Sequence, residues 1–509
     1  MSAEVAGPPG GGTAPGGGGG GAAAGGAAPG GGAALTGGVV AAIDLGATSG
    51  RVMLGYVGPD GIRLEPVARF PNTPVRTIDG LHWNILELYR NVLTGLAEAV
   101  RREPTLASIA VDSWAVDYAL LRGDRMLGNP FHYRDDRTAR GVDAIHHAVP
   151  FAELYRASGL QFLTINTVYQ LGAEPRDILD QADALLLIPD LIGYWLTGER
   201  RAERTNASTT GLLNVQTREW DDTLVAALGL PRALFPALIE PGETVGQLLP
   251  AVAEEIGAAH LTRPLPVTAI GSHDTASAVM AVPAVDDDFA YISSGTWSLV
   301  GVELEHPVVS EESRAANFTN EGGVDGRVRF LQNVSGLWLL SESVRTWERS
   351  GEVIDLPSLL ADAAAVAAPV AVFEVGDARF VAPGDMPARI AAWCRDHDQP
   401  VPTSRAEVVR SILESLAEAY SSSLATAAEL SGKIIRTIHI VGGGSQNALL
   451  CQLTADRTGL PVLAGPVEAT AIGNVLTQAR AVGLVSGDLA ALRALVAASF
   501  PPVRYEPAG

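Results

Sequence analysis

Apolar and polar positions alternate in blocks along most of this chain. Gly38 to Asp44 is a short apolar run rich in β-formers, and Arg51 to Val57 is a second. The stretch between them is Leu45-Gly46-Ala47-Thr48-Ser49-Gly50, so the pair predicts a β-hairpin. From Ile85 to Arg101, apolar Leu86, Leu88, Val92, Leu93, Leu96 and Val100 recur near the helical period, which predicts an amphipathic helix. Ser108 to Trp114 returns to a strand that ends in polar residues. Strands and helices in alternation predict an α/β architecture. The same device recurs further on: Phe289 to Val302 reads strand, Gly-Thr turn, strand, with a helix pattern over Ala406 to Leu430 and a strand over Thr437 to Val441. The spacing is far too long for a solenoid repeat, so one domain design is expected twice. Ala281-Val282-Pro283-Ala284 is the expected linker, because proline punctuates a change of element. The expected domains are 39–283 and 284–505.

Composition changes this picture at one end. The first 38 residues are mostly Gly, Ala and Pro. Such a segment buries too little apolar surface to offset its ordering entropy, so disorder is expected over 1–38. It has no basic region followed by an apolar one and does not read as a secretory signal. A tether and a start codon placed too early account for it equally well. No run of apolar residues is long enough for a membrane span. The two cysteines, Cys394 and Cys451, allow no disulfide framework or cysteine zinc site and fit a reducing cytoplasm. Lys and Arg number 36 against 57 Asp and Glu, a net charge of −21. That field repels nucleic acid and anionic lipid and argues against both as partners. It does not exclude ATP, because backbone N–H groups and Mg²⁺ can hold phosphates locally.

Five stretches carry candidate chemistry. In Asp44-Leu-Gly-Ala-Thr-Ser-Gly-Arg51, a Gly- and hydroxyl-rich turn aims several N–H groups one way, which suits phosphate. Asp44 could hold Mg²⁺ directly or through water, and Arg51 adds positive charge. A plain hairpin uses the same residues, but the recurrence at Ser293-Ser294-Gly295-Thr296 favours two phosphate hairpins around one nucleotide. Val441-Gly442-Gly443-Gly444-Ser445 joins a strand to a helix; either close ligand approach or tight packing calls for glycine there. It is neither a dinucleotide fingerprint nor a Walker A loop. Gly271-Ser272-His273-Asp274-Thr275 ends a buried strand and opens a helix. Asp274 there is either a general base or, as spacing alone favours, a helix N-cap. Trp114 with Asp112 and Asp117, and Asn333 further on, suit a sugar pocket, although a core Trp among solvated acids fits the same residues.

Together these words resemble the FGGY family of carbohydrate kinases, built on the actin-like ATPase fold. The resemblance rests on Ile43 to Arg51, Val111 to Asp117, Ile188 to Leu191, Asn206 to Thr210, Gly271 to Thr275, Tyr291 to Ser298, Asn317 to Gly322 and Val441 to Asn447. It implies two α/β domains of the actin-like ATPase (ribonuclease H-like) type with an interdomain cleft, behind the Gly/Ala/Pro-rich segment. It further implies transfer from ATP, with Mg²⁺, to the 1-hydroxyl of L-rhamnulose, by a cytoplasmic monomer. Residue by residue, the resemblance assigns ATP contacts to Ala47, Thr48, Ser49, Gly50, Arg51, Thr296, Ser341 and Gly443. It assigns the substrate to Ala115, His273, Asp274, Thr275 and Asn333, and proton acceptance to Asp274. Ala115 stands where the family commonly has Gly, and Ser341 where close relatives carry Gln. Other readings remain: a kinase of L-fuculose, xylulose or glycerol, an actin-like ATPase without sugar transfer, or an inactive sugar sensor. The Asp-bearing strand end and the Trp/Asp word favour the sugar kinase.

Overall fold

The computed structural model describes residues 37–58, 61–261, 263–367 and 369–508. The disorder expected over 1–38 falls almost wholly outside them; of that stretch, Gly38 opens the first strand.

Two sheets carry the fold. The first contains β1 (Gly38–Leu45), β2 (Ser49–Gly58), β3 (Gly61–Pro71), β4 (Ile109–Ser113), β5 (Thr244–Gln247) and β6 (Pro266–Thr268), in the order β5-β6-β4-β1-β2-β3. β1 pairs antiparallel with β2 and parallel with β4, and β4 pairs parallel with β6. Helix α1 (Ile85–Arg102) packs on β2 and β3 through Ile85, Leu88, Val92, Leu96 and Ala99. Leu86, expected on that stripe, faces solvent instead. It is one position off the i, i+3, i+4 rows that face the sheet.

After β6, helix α2 (Asp274–Met280) leads into the second sheet. Its strands are β7 (Phe289–Ser294), β8 (Trp297–Leu304), β9 (Thr319–Gly322), β10 (Val328–Ser335), β11 (Thr437–Val441), β12 (Val462–Ala464) and β13 (Val503–Tyr505). They stand in the order β9-β10-β8-β7-β11-β12-β13. Its helices are α3 (Trp338–Arg349), α4 (Arg405–Ser431), α5 (Ala448–Thr458) and α6 (Ala469–Ala481). Both sheets therefore run three antiparallel strands and then two parallel ones: β3-β2-β1-β4-β6 and β10-β8-β7-β11-β12. This repeated order is the actin-like pattern that the sequence implied.

The halves meet where α6 crosses α2. A Cβ on Gly473 would fall 1.9 Å from the Ser277 carbonyl oxygen, so only glycine allows this approach. Asn474 donates to Asp112 at 2.6 Å and Gln478 to the Ala41 carbonyl at 3.1 Å, which ties α6 to β4 and β1. The Ala281–Ala284 stretch is buried within this shared apolar cluster rather than exposed between the halves. Between β4 and β5, the strands Tyr118–Arg122 and Ala184–Leu187 carry a further apolar cluster, with Leu120, Leu154, Tyr169, Leu185 and Phe235 inside. No helix among the described residues is long and apolar enough to cross a membrane.

Candidate active site

The strand ends of both sheets converge on one cavity of about 600 Å³, a volume in the ordinary range for small-molecule sites. Two hairpins enter it. At the β1–β2 turn, Gly46 N–H bonds the Ser49 carbonyl, and Asn72 braces the turn through Gly46 O and Thr48 O. Ala47, Thr48, Ser49 and Arg51 line the cavity. Gly50 does not: a Cβ there would press on Phe70 and Leu45. Strand alternation is the reason, since 49 and 51 face one way and 50 the other. At the β7–β8 turn, Gly295 N–H bonds the Trp297 carbonyl, and Thr296 lines the same cavity from the opposite side.

The triple glycine divides its roles. Gly442 has φ +82°, and a Cβ on it would lie 2.9 Å from the Ser294 carbonyl oxygen. One on Gly444 would lie 2.1 Å from Ser294 Oγ. Both are required by packing against β7. Gly443 has open space around it and lines the cavity. Ser341 lies on the exposed side of α3, outside the cavity lining, so the register of that helix takes it away from the site.

Carboxylates gather at the cavity floor. Asp44 and Asp112 stand opposite each other on the parallel pair β1–β4. Arg51 bonds Asp44 at 2.8 and 2.9 Å and also reaches Glu468. Burial pushes the Asp44 carboxyl up to about 6, against the pull of Arg51 and with help from Asp274 and Glu468. Burial and Asp44 raise Asp112 well above the usual range; its Oδ1 has no partner. One guanidinium facing several acids leaves room for a cation. Among the described residues no cluster of three or more His, Cys, Asp or Glu is arranged to hold a metal alone. The donor set fits Mg²⁺, which keeps its waters and takes one or two carboxylates plus phosphate oxygens.

Asp274 opens α2, but its carboxylate accepts only from Thr275 Oγ1, at 3.2 Å, and no side chain caps the helix. The N-cap role that spacing favoured is therefore absent. Its side chain is 32% exposed, toward the cavity. His273 Nε2 lies 3.5 Å from Asp274 Oδ1. Behind the histidine, Arg329 and Glu321 are both buried and pair at 3.1 Å. Burial raises the Glu321 carboxyl, but the Arg329 guanidinium beside it, with Asn333, holds it below the usual range.

Ala115, Trp114, Thr275 and Asn333 also line the cavity. Asp117 does not; it is fully buried, and its Oδ2 accepts from Trp83 Nε1 at 2.6 Å, Trp114 Nε1 at 3.0 Å and Tyr133 N at 3.1 Å. Asp112 and Asp117 are neither solvated acids nor lining groups; Asp117 holds the aromatic wall in place. Gln161, from the segment between β4 and β5, clamps Asn333 by accepting from its N and Nδ2 at 2.9 and 3.1 Å. Tyr133, Gln161, Asn166, Thr209, Glu321 and Glu468 line the cavity too and were missed in the sequence. Thr209 and Glu321 fall within the words Asn206–Thr210 and Asn317–Gly322, which were the available signal.

Fold and site thus define a two-domain phosphotransferase-type protein with a polar cleft between duplicated sheets. The family descriptions that match are those of the FGGY family of carbohydrate kinases, its N-terminal domain over residues 39–281 and its C-terminal domain over 290–482. The chain belongs to that family. It is 42% identical over 470 residues to a rhamnulokinase of Bacteroides thetaiotaomicron, covering 92% of this chain and 95% of that one. It is 44% identical over 474 residues to a rhamnulokinase of Pectobacterium atrosepticum, covering 92% and 93%. Among solved structures, the fold matches a xylulose kinase of Lactobacillus acidophilus with a TM-score of 0.73 at 17% identity, over 92% and 94% of the chains. It matches Plasmodium falciparum glycerol kinase with ADP at 0.71 and 16%, over 90% and 92%. At that identity these structures establish the fold alone.

Proposed function

We propose that the protein transfers the γ-phosphoryl group of ATP to the 1-hydroxyl of L-rhamnulose, giving L-rhamnulose 1-phosphate and ADP. One observation carries the kinase reading: a single cavity is lined by both hairpins, Gly443 and the His273–Asp274 pair. The choice of sugar follows the rhamnulokinases at 42–44% identity over about nine-tenths of the chain.

In this reading, domains 39–283 and 284–505 close on the two substrates. The backbone and hydroxyls of Ala47, Thr48, Ser49 and Thr296 cradle phosphates, Arg51 adds charge, and Gly443 admits the adenosine. Asp44 is the residue to hold Mg²⁺, which would supply charge neutralisation of the phosphates. Trp114 and Ala115 lie against the sugar, with Asn333 and Thr275 bonding it. Asp274 takes the proton of the 1-hydroxyl as its oxygen attacks the γ-phosphorus; the bond from that phosphorus to the bridging oxygen breaks, and ADP leaves with the electron pair. In-line positioning supports this without a phosphorylated enzyme. We place the enzyme in the cytoplasm as a monomer.

The test is ADP release in a coupled assay over L-rhamnulose, L-fuculose, xylulose and glycerol with Mg-ATP. The highest kcat/KM is expected with L-rhamnulose. A higher value with another acceptor overturns the sugar assignment, and ATP hydrolysis indifferent to all four overturns the kinase reading.

A further inference from the structure

The environment of His273 fixes which of its nitrogens carries the proton. Its Nδ1 lies 3.0 Å from Arg329 Nη2 and 3.3 Å from Glu321 Oε2. A guanidinium has only donors and keeps its charge in proteins. At 3.0 Å it can face Nδ1 only if that nitrogen is a bare acceptor. The ring is then neutral, with its proton on Nε2, the nitrogen that points to Asp274. Arg329 cannot swing away: it is fully buried, its Nε donates to the Gly322 carbonyl at 2.9 Å, and its Nη1 faces the Glu321 carboxylate as an ion pair at 3.1 Å. Glu321 alone would do the opposite, since a carboxylate beside Nδ1 draws a proton onto it.

We propose that Arg329, anchored by Glu321, is a positioning residue that locks His273 as the Nε2–H tautomer, so that His273 and Asp274 present a hydrogen-bond donor and an acceptor side by side. The 3.5 Å gap between them is too long for a good mutual bond. The pair is open to a ligand that carries a hydroxyl next to an acceptor oxygen. A 1-hydroxy-2-ketose has that pattern: its 1-hydroxyl donates to Asp274 and its 2-oxygen accepts from His273. This inference rests on the sugar-kinase reading for its ligand, but the tautomer itself does not depend on it.

The first measurement uses the intact wild-type protein. Imidazole ¹⁵N spectra at neutral pH, with the His273 signals identified by their loss in His273→Gln, are expected to show a protonated Nε2 and a bare Nδ1. A proton on Nδ1 overturns the proposal, whatever sugar the enzyme uses. Inactivity toward L-rhamnulose with this tautomer intact counts against the sugar assignment alone. The second arm is Arg329→Met, which leaves Glu321 to draw a proton onto Nδ1 and is expected to raise the ketose KM about tenfold, the worth of one lost hydrogen bond, with the ATP KM unchanged. Adding Glu321→Gln supplies an amide N–H to Nδ1 and is expected to restore both the tautomer and the ketose KM. Should the single variant not fold, the wild-type spectrum still decides. An unchanged tautomer in folded Arg329→Met would refute the locking role.

Discussion

Replacing Asp274 with Asn separates a chemical role from a structural one more cleanly than any other change in this protein. The substitution keeps shape and removes the ability to take a proton. General-base catalysis contributes on the order of 10²–10⁴-fold, and the phosphoryl-transfer rate should fall by about that factor. The cost in stability follows from the structure. The carboxylate accepts no backbone N–H and bonds only Thr275 Oγ1. What remains is its attraction to the N-terminus of α2, about 0.3–1 kcal/mol in general, and this is offset by relief of its repulsion toward Asp44. The melting temperature should therefore hardly move. Because product release often limits kcat in enzymes that close over their substrates, the assay is a single-turnover quench with excess enzyme, alongside calorimetry and ATP binding. A rate close to wild type refutes the base assignment. A large loss of stability refutes the reading of α2 as uncapped by this side chain.

Other changes test the remaining parts. Arg51→Met removes the cation that faces Asp44 and Glu468 and should weaken ATP about 10–100-fold, the worth of a charged hydrogen bond, with the sugar KM little changed in initial-rate kinetics. Gly443→Ala has room for its methyl and should leave stability intact while raising the ATP KM; Gly444→Ala meets Ser294 and should cost about 1–3 kcal/mol in urea unfolding. Burial raises the Asp117 carboxyl from 3.8 to about 7, so its contribution to stability is full below pH 3.8 and is lost as pH rises through about 7. Asp117→Asn lacks that dependence, and the stability difference between wild type and variant should shrink across this window; a constant difference counts against the shift.

What could be read from the sequence was local. The hairpin at 44–51 and its echo at 293–296 are short words whose residue types state their own geometry, and α1 declares itself by period. The same alternation that turns Ser49 and Arg51 to the cavity turns the Cα face of Gly50 toward Phe70, which the period-2 pattern makes legible. Asp117 could not be assigned this way. Three residues after a tryptophan, a carboxylate faces a ligand in one backbone path and the indole in another; here Val116 adopts φ +68°, an unusual conformation for a β-branched residue. Arg329 and Gln161 were invisible for a different reason, and the word holding Glu321 did not announce its role. Each comes from an element distant in sequence, and each acts on another side chain rather than on the cavity alone. Ser341 stands on the exposed face of α3, outside the cavity lining, a helix register that no residue type announces.

The contacts joining the two halves differ in kind along the cleft. At its buried end they are backbone-tight or fully enclosed: Gly473 against Ser277, Asn474 on Asp112, Gln478 on the Ala41 carbonyl. Residues 155–162 also meet 313–333 closely, through the Asn320 N–H on the Gly159 carbonyl at 2.9 Å, Tyr155 on Ser313 and Asn333 on Gln161; beside the nucleotide hairpins the contacts are instead long polar side chains. Arg134 reaches from the first half to the Val381 carbonyl at 2.8 Å and lies 4.4 Å over the Trp338 ring, and Arg51 reaches to Glu468. Separating the buried contacts would expose close-packed glycine and strand polar groups without partners, whereas the guanidiniums can exchange their partners for water at little cost. The guanidinium contacts are thus the ones an opening of the cleft would break most cheaply. Such an opening would separate the Thr296 and Thr48 hairpins, whereas His273, Arg329 and Glu321 are buried together and stay joined, although β9 and β10 bring the last two from the second half. The donor–acceptor pair is therefore built before a ligand arrives, and closure would add the second hairpin's approach and the exclusion of water.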